Sequence, residues 1–368
     1  MKILTAEQIK RVDEYTIQHE PVTSIDLMER AARSCLFRIL KHSDDDTEFV
    51  IMCGTKNNGG DGLAIARMLA DRGINVKVVI IHFASSESSE FSENLKRLVE
   101  QKKTTIDHIR AENELSQLDI NGKLVIDALI GTGLKNKAEG LLAAAIELIN
   151  NSKCKAIAID IPSGMIPDAD NEKNTIVKAN LVLTFQTPKY AFFFPENYVY
   201  CGSFEVLDIG LDQDAIENQD TKNYFATKEF IPQLLLHRSK TAHKGNFGSA
   251  LLICGSHGKM GAAQLSAKAC LRSGAGILTV HIPKCGYDSM QSALPEAMVS
   301  CSTEENYIDT LPDLSAYTSI GIGCGIGTDK QTQNIVKLLI QNSTKPLVID
   351  ADALNILAEN KTWLSFLP

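Results

Sequence analysis

Four polar residues in three glycine-bearing segments have the types and spacing for proton and cation chemistry. Asn58 lies in Gly54-Thr55-Lys56-Asn57-Asn58-Gly59-Gly60-Asp61-Gly62, Asp127 opens Asp127-Ala128-Leu129-Ile130-Gly131-Thr132-Gly133-Leu134, and Asp160 and Ser163 share Asp160-Ile161-Pro162-Ser163-Gly164. A positioned carboxylate moves protons at a reacting centre. Amide, hydroxyl and carboxylate oxygens together suit a hard cation. Glycines let the backbone approach a ligand or take positive φ, and N–H groups opening a helix receive phosphate. The first segment is neither a P-loop nor the G-x-G-x-x-G dinucleotide fingerprint. A cap or turn explains any one of these aspartates alone; the three segments together point to a site.

Such a site needs elements that bring the segments to one place. Apolar, β-rich runs at 49–53, 76–81, 124–126, 156–159 and 181–185 immediately precede or flank them. Helical patterns over the first forty or so residues and at 61–73, 88–102 and 139–150 separate the runs, which predicts a parallel sheet buried on both faces, an α/β/α three-layer sandwich. Ligands bind such sheets where strands end. Asn58, Asp127, Asp160 and Ser163 are therefore expected in one oxygen-rich crevice. The pattern restarts after a polar stretch, with strands at 250–255, 278–283, 319–323 and 347–350 and helices at 261–273 and 329–341. This predicts domains at 1–215 and 229–368 joined by a linker at 216–228. Neither half repeats the motif order of the other.

The chain of 368 residues is long enough for two cores, and 44% hydrophobic with 22% charged residues is ordinary globular composition. A net charge of −8 without a long basic run argues against nucleic acid or an anionic membrane as partner. The start MKILTAEQIKRVDEY lacks a signal-peptide core and no apolar run spans a bilayer, so a cytoplasmic protein is expected. Nine cysteines lie without a C-x-x-C pair, and most of them read as small buried hydrophobes.

Leu27 to Ala32 (LMERAA), NNGGDG, DALIGTGL and DIPSG, in that order, resemble the YjeF N-terminal family of NAD(P)H-hydrate epimerases. The resemblance implies a Rossmann-like sandwich that binds hydrated NADH or NADPH. It implies potassium held by Asn58, Asp127 and Ser163. The resemblance further implies substrate contacts at Asn57, Asn58, Gly59, Gly60 and Asp61, at Gly131, Thr132, Gly133, Leu134, Lys135, Asn136 and Lys137, and at Asp160, with Asp160 expected as the catalytic acid/base. Lys56 departs from the glycine of many relatives and is read as an added phosphate contact.

In the second half, HKGNFG at 243–248, GSHGKMGAA at 255–263, GIGCGIGT at 321–328 and DADALN at 350–355 resemble the ADP- or ATP-dependent NAD(P)H-hydrate dehydratases, a ribokinase-like family. Ala262 with Gly323 or Gly325 is then expected to touch the hydrated dinucleotide, with ADP or ATP and magnesium as cofactors. His257 and His281 are read as ordinary surface or turn histidines. The family's T-P-H-P and G-S-G-D segments do not appear before residue 368, so the domain is expected to be partial and its dehydratase activity is not expected. Two other readings are a non-catalytic YjeF-type binding module and a ribokinase-like small-molecule kinase in the second half. The N-terminal helices offer a dimer face, and ribokinase-like relatives imply a homo-oligomer.

Overall fold

The β-branched and apolar runs form strands whose alternate residues serve two different cores, as the period-2 geometry of a sheet buried on both faces requires. In the computed structural model, which describes residues 1–44, 46–169, 171–235 and 237–367, the chain divides into two units at 235/236. The first unit opens with α1 (Ala6–His19) and α2 (Ser24–Lys41), each started by a capping box, Thr5 with Gln8 and Thr23 with Asp26. Then follow β1 (Phe49–Cys53), α3 (Asn57–Asp71), β2 (Val76–Ile81), α4 (Ser89–Gln101), β3 (Thr105–Ile109), α5 (Glu112–Leu115), β4 (Leu124–Ala128), α6 (Gly140–Asn151), β5 (Lys155–Ile159), β6 (Leu181–Phe185) and β7 (Ser203–Leu207). The strands form one parallel seven-stranded sheet in the order β3-β2-β1-β4-β5-β6-β7.

Phe49, Ile51 and Cys53 of β1 pack with Ala32, Leu36, Leu63 and Phe91, whereas Val50 and Met52 pack with Leu142, Ile146 and Ile149. Helices α2, α3 and α4 thus cover one face and α6 the other, and the expected three-layer sandwich is present. Two sequence boundaries differ from expectation. α3 begins at Asn57, so the NNGGDG segment forms the first turns of the helix. The stretch 216–228, expected as a linker, is held to the first unit at least through residue 225, because Ile3 N donates to Asn223 O at 2.9 Å and Phe225 N to Met1 O at 2.8 Å. Backbone pairing has captured a segment whose polar side chains suggested solvent.

The second unit holds β8 (Ser249–Ile253), β9 (Ile277–Ile282), β10 (Met298–Cys301), β11 (Ser319–Ile322) and β12 (Leu347–Ile349) in a parallel sheet ordered β10-β9-β8-β11-β12. Helices Met260–Arg272, Tyr287–Ala293, Lys330–Asn342 and Asp352–Glu359 lie between or after them. Separate apolar clusters, one with Leu251, Ile320 and Leu339, the other with Ala263, Val280 and Met290, again cover two faces. Among the described residues no helix is long and apolar enough to cross a membrane. All nine cysteines are free, but only Cys35, Cys53, Cys201 and Cys254 are fully buried, and Cys301 is exposed.

Candidate active site

The first sheet reverses its winding between β1 and β4, and a crevice at the carboxyl ends of such neighbours is where doubly wound sheets take their ligands. The exits of these two strands touch. A Cβ placed on Gly54 would lie 2.0 Å from Leu129 O, and one on Gly59 would lie 1.8 Å from Gly54 O. None of Gly54, Gly59, Gly60 or Gly62 has positive φ. Gly54, Gly59 and Gly62 therefore serve close packing of α3 on the strands and their exits, and Gly60 serves packing of α3 on Met28 and Phe91 of the neighbouring helices, rather than the left-handed backbone expected of them. Lys56 is exposed and its Nζ donates to Ser86 Oγ at 2.7 Å.

The polar residues sort into two groups. In the first, Asp127 is fully buried at the end of β4; its Oδ1 accepts from Ser163 Oγ at 2.5 Å and Leu129 N at 3.3 Å, and its Oδ2 accepts from Ser163 N at 2.8 Å. Burial pushes its carboxyl up to about 6, against the lowering effect of those hydrogen bonds. Ser163 Oγ also accepts from Ile130 N at 3.0 Å, which ties the loop after β4 to the loop after β5. Asn58 is only 7% exposed, and neither atom of its amide has a partner among the described residues. Gly131 packs on the Asn58 side chain, with space for only a 3.4 Å contact. From there Gly133 and Lys135, Asn136 and Lys137 are exposed, while Gly131, Thr132 and Leu134 are half-buried. A buried amide oxygen without a partner beside one carboxylate and one hydroxyl is a donor set that fits a monovalent cation such as potassium. Among the described residues no three His, Cys, Asp or Glu side chains converge as a metal cage.

The second group surrounds Asp160, which the sequence reading placed with Asp127. At the exit of β5 its backbone takes φ +66°, a left-handed conformation that costs energy for a residue other than glycine and marks functional positions. That twist delivers the carboxylate to the sheet edge, where Oδ1 accepts from Lys189 Nζ at 2.7 Å, Phe185 N at 3.2 Å and Thr184 Oγ1 at 3.4 Å. Oδ2 takes none of these bonds. Lys189 is 1% exposed and spends its other protons on Phe185 O at 3.2 Å and Thr187 O at 3.3 Å. A buried ammonium requires such a counter-charge.

Asp61, buried on α3, is held well above the usual carboxylate range by burial and by the charges of Asp160 and Asp13. Asp13 of α1 is raised to about 7, first by burial and then by Asp160, with Lys189 opposing. Sequence reasoning did not find Lys189 or Asp13. The signal for the lysine was its place, four residues past a buried strand on the same edge as the DIPSG segment. Asp13 gave none, being one charge among many on an amphipathic helix.

In the second unit Gly325 meets Ala262: a Cβ on the glycine would lie 2.9 Å from Ala262 Cβ and 3.0 Å from Lys259 O. Gly323 is buried instead against Asp350 O, 1.7 Å from where its Cβ would be, so Gly325 is the better placed of the two candidates to face a ligand. Asp352 fastens this loop by accepting from Gly327 N at 2.9 Å and pairing with Lys259 at 3.2 Å. His257 is exposed, but His281 is a core residue, 2% exposed, bonded to Ser300 Oγ at 3.0 Å and to Thr310 O at 2.9 Å.

A doubly wound sheet with buried carboxylates and a buried ammonium at its switch-point edge defines an α/β enzyme of small-molecule chemistry. Comparison with known proteins narrows the class. Residues 24–191 match the family model of the YjeF-related protein N-terminus, and residues 250–367 match that of NAD(P)H-hydrate dehydratase. The bifunctional NAD(P)H-hydrate repair enzyme Nnr of Moorella thermoacetica is 32% identical over 99% of this chain and 71% of its own length. That of Coxiella burnetii is 30% identical over 96% of this chain and 70% of its own. The crystal structure of a yeast protein, at 18% identity, covers 62% of this chain and 98% of its own with a TM-score of 0.50, a likeness of fold. The chain belongs to the family of bifunctional NAD(P)H-hydrate repair enzymes.

Proposed function

We propose that the first unit interconverts the R and S epimers of hydrated NADH and NADPH in the cytoplasm, with Asp160 as the acid/base group. The observation that carries this reading is the asymmetry of the Asp160 carboxylate: Oδ1 is pinned by Lys189, Phe185 and Thr184, and Oδ2 is left for a substrate proton. Inverting the hydroxyl-bearing C6 of the reduced nicotinamide ring requires a proton to be given and taken there, a task for a fixed carboxyl group. Asn57, Asn58, Gly59, Gly60 and Asp61, with the segment from Gly131 to Lys137, form the surroundings of the substrate. The N–H groups opening α3 and the exposed Lys135 and Lys137 suit its phosphates. Asn58, Asp127 and Ser163 would hold potassium, which offsets anionic charge and fixes the two loops that Ser163 already joins.

For the second unit we propose the dehydratase role of its family, with Ala262 and Gly325 toward the hydrated dinucleotide and ADP or ATP with magnesium as co-substrate. The test for the first unit is chromatographic: one separated epimer of hydrated NADPH is incubated with the chain and potassium. Equilibration well above the spontaneous rate is expected, and no acceleration overturns the reading in favour of a binding module.

A further inference from the structure

Two neighbouring strand exits of the first sheet make the same rare turn. After β5, Ile161 N donates to Ile159 O at 2.9 Å across Asp160, whose φ is +66°. After β6, Thr187 N donates to Phe185 O at 2.6 Å across Gln186, whose φ is +59°. A bond from residue i+2 back to residue i around a left-handed centre is the uncommon, strained form of the γ-turn. Both centres are also stitched to the next strand in the same register. Asp160 N donates to Leu183 O at 2.7 Å, and its Oδ1 accepts from Phe185 N at 3.2 Å. Gln186 N donates to Leu207 O at 2.7 Å, and its Oε1 accepts from Ile209 N at 3.0 Å. Left-handed backbone outside glycine persists where surrounding contacts over-determine it, and at functional positions.

The repeat separates what the turn needs from what the reaction needs. At Gln186 an amide oxygen serves the stitch that a carboxylate oxygen serves at Asp160, so the stitch alone does not call for an acid. What Asp160 has in addition is Lys189 Nζ at 2.7 Å. The second turn itself aims that ammonium. Lys189, 1% exposed, donates to Phe185 O at 3.2 Å and to Thr187 O at 3.3 Å, the two carbonyls on either side of Gln186. Three acceptors thus take the three protons of the ammonium, which leaves it no other direction in which to turn. Gln186 is half-buried, and its side chain fastens the turn to the exit of β7.

We propose that Gln186 and Lys189 are positioning residues of the epimerase site. The turn centred on Gln186 is a carbonyl pincer that holds the Lys189 ammonium against Asp160 Oδ1, and so fixes Oδ2 for the substrate. This rests on the epimerase reading above. The contacts act in sequence: the exit of β7 sets Gln186, Gln186 sets the two carbonyls, the carbonyls set Lys189, and Lys189 sets Asp160. Misplacing a reacting group by about 1 Å costs about 10²-fold in rate. The pincer protects Asp160 from that loss.

The test is a double-mutant cycle on epimer interconversion by the whole chain, with the fold of each variant checked by circular dichroism. Lys189→Met is expected to lower kcat by about 10²-fold with KM little changed, because the substrate still binds and only the proton-transfer geometry is lost. Gln186→Met keeps the side-chain length but removes the acceptor for Ile209 N, and should lower kcat by about tenfold. Gln186→Glu restores that acceptor and should return the rate to within about threefold of the wild type. In the Lys189→Met background, Gln186→Met should cost less than about twofold more, since the pincer then holds nothing. If Lys189→Met does not fold, Lys189→Gln, which keeps an N–H donor without the charge, takes its place in the cycle. Equal losses from Gln186→Met in both backgrounds, wild-type kcat in the lysine variant, or a change in its KM alone overturns the inference by itself. No interconversion by the wild type overturns the epimerase reading and this inference with it.

Discussion

The two units share a scaffold and differ at its edge. The first five strands of each sheet run in the same order, β3-β2-β1-β4-β5 and β10-β9-β8-β11-β12, and each central strand leads through a glycine-rich exit into a helix. Each fifth strand ends in an aspartate beside a left-handed residue: Asp160 itself at φ +66° in one unit, and Ala351 next to Asp350 at φ +47° in the other. Yet Asp160 is withdrawn and bonded to Lys189, whereas Asp350 is exposed and forms no ion pair among the described residues. The counter-ion comes from the exit of β6, the strand beside β5 in the first sheet. Burying a carboxylate at a strand end takes a partner from the next strand.

The largest way to break the comparison is Asp160→Asn, which removes the proton-transfer group. Interconversion should drop about 10³-fold, or about 4 kcal/mol of transition-state stabilisation. The cation site comes next. Potassium at a hundredfold excess over Kd should stabilise the first unit by about 2.7 kcal/mol, and Asn58→Ala should abolish that gain in thermal melts with potassium against a choline salt.

Glycines at matched places sharpen the contrast in packing. In Gly59→Ala the new Cβ meets the Gly54 carbonyl oxygen, fixed backbone, 1.8 Å away, and should cost about 2 kcal/mol by urea unfolding. Gly261 also lies in the first turn of the helix after its central strand but has nothing within 4 Å of a Cβ. There Gly261→Ala should add about 0.5 kcal/mol, the helix-propensity gain alone.

Much of this was legible in the chain. Strands β1, β2 and β6 fall where apolar runs predicted them, because strands buried on both faces are mostly apolar, Lys77 and Thr184 being the polar members of β2 and β6. β3 and β10 escaped notice because they are edge strands of mixed polarity, Thr105–Ile109 and Met298–Cys301, exposed at several positions. Asn58, Asp127 and Ser163 were visible as a set because each sits at a strand exit with its own glycines, and the structure binds Asp127 to Ser163 directly. Separating Asp160 from that set, and joining it to Lys189, depends on a pairing between the exits of β5 and β6, 29 residues apart. No local spacing encodes that pairing.

The central claim is that epimerisation belongs to the lysine-bonded aspartate of the first sheet and not to its exposed counterpart in the second. One measurement addresses it directly: conversion of a single purified epimer of hydrated NADPH by the wild-type chain, by Asp160→Asn and by Asp350→Asn, with all three shown to be folded. The account predicts rapid equilibration by the wild type and by Asp350→Asn and only the spontaneous rate with Asp160→Asn. Undiminished interconversion by Asp160→Asn, or its loss in Asp350→Asn, would contradict it.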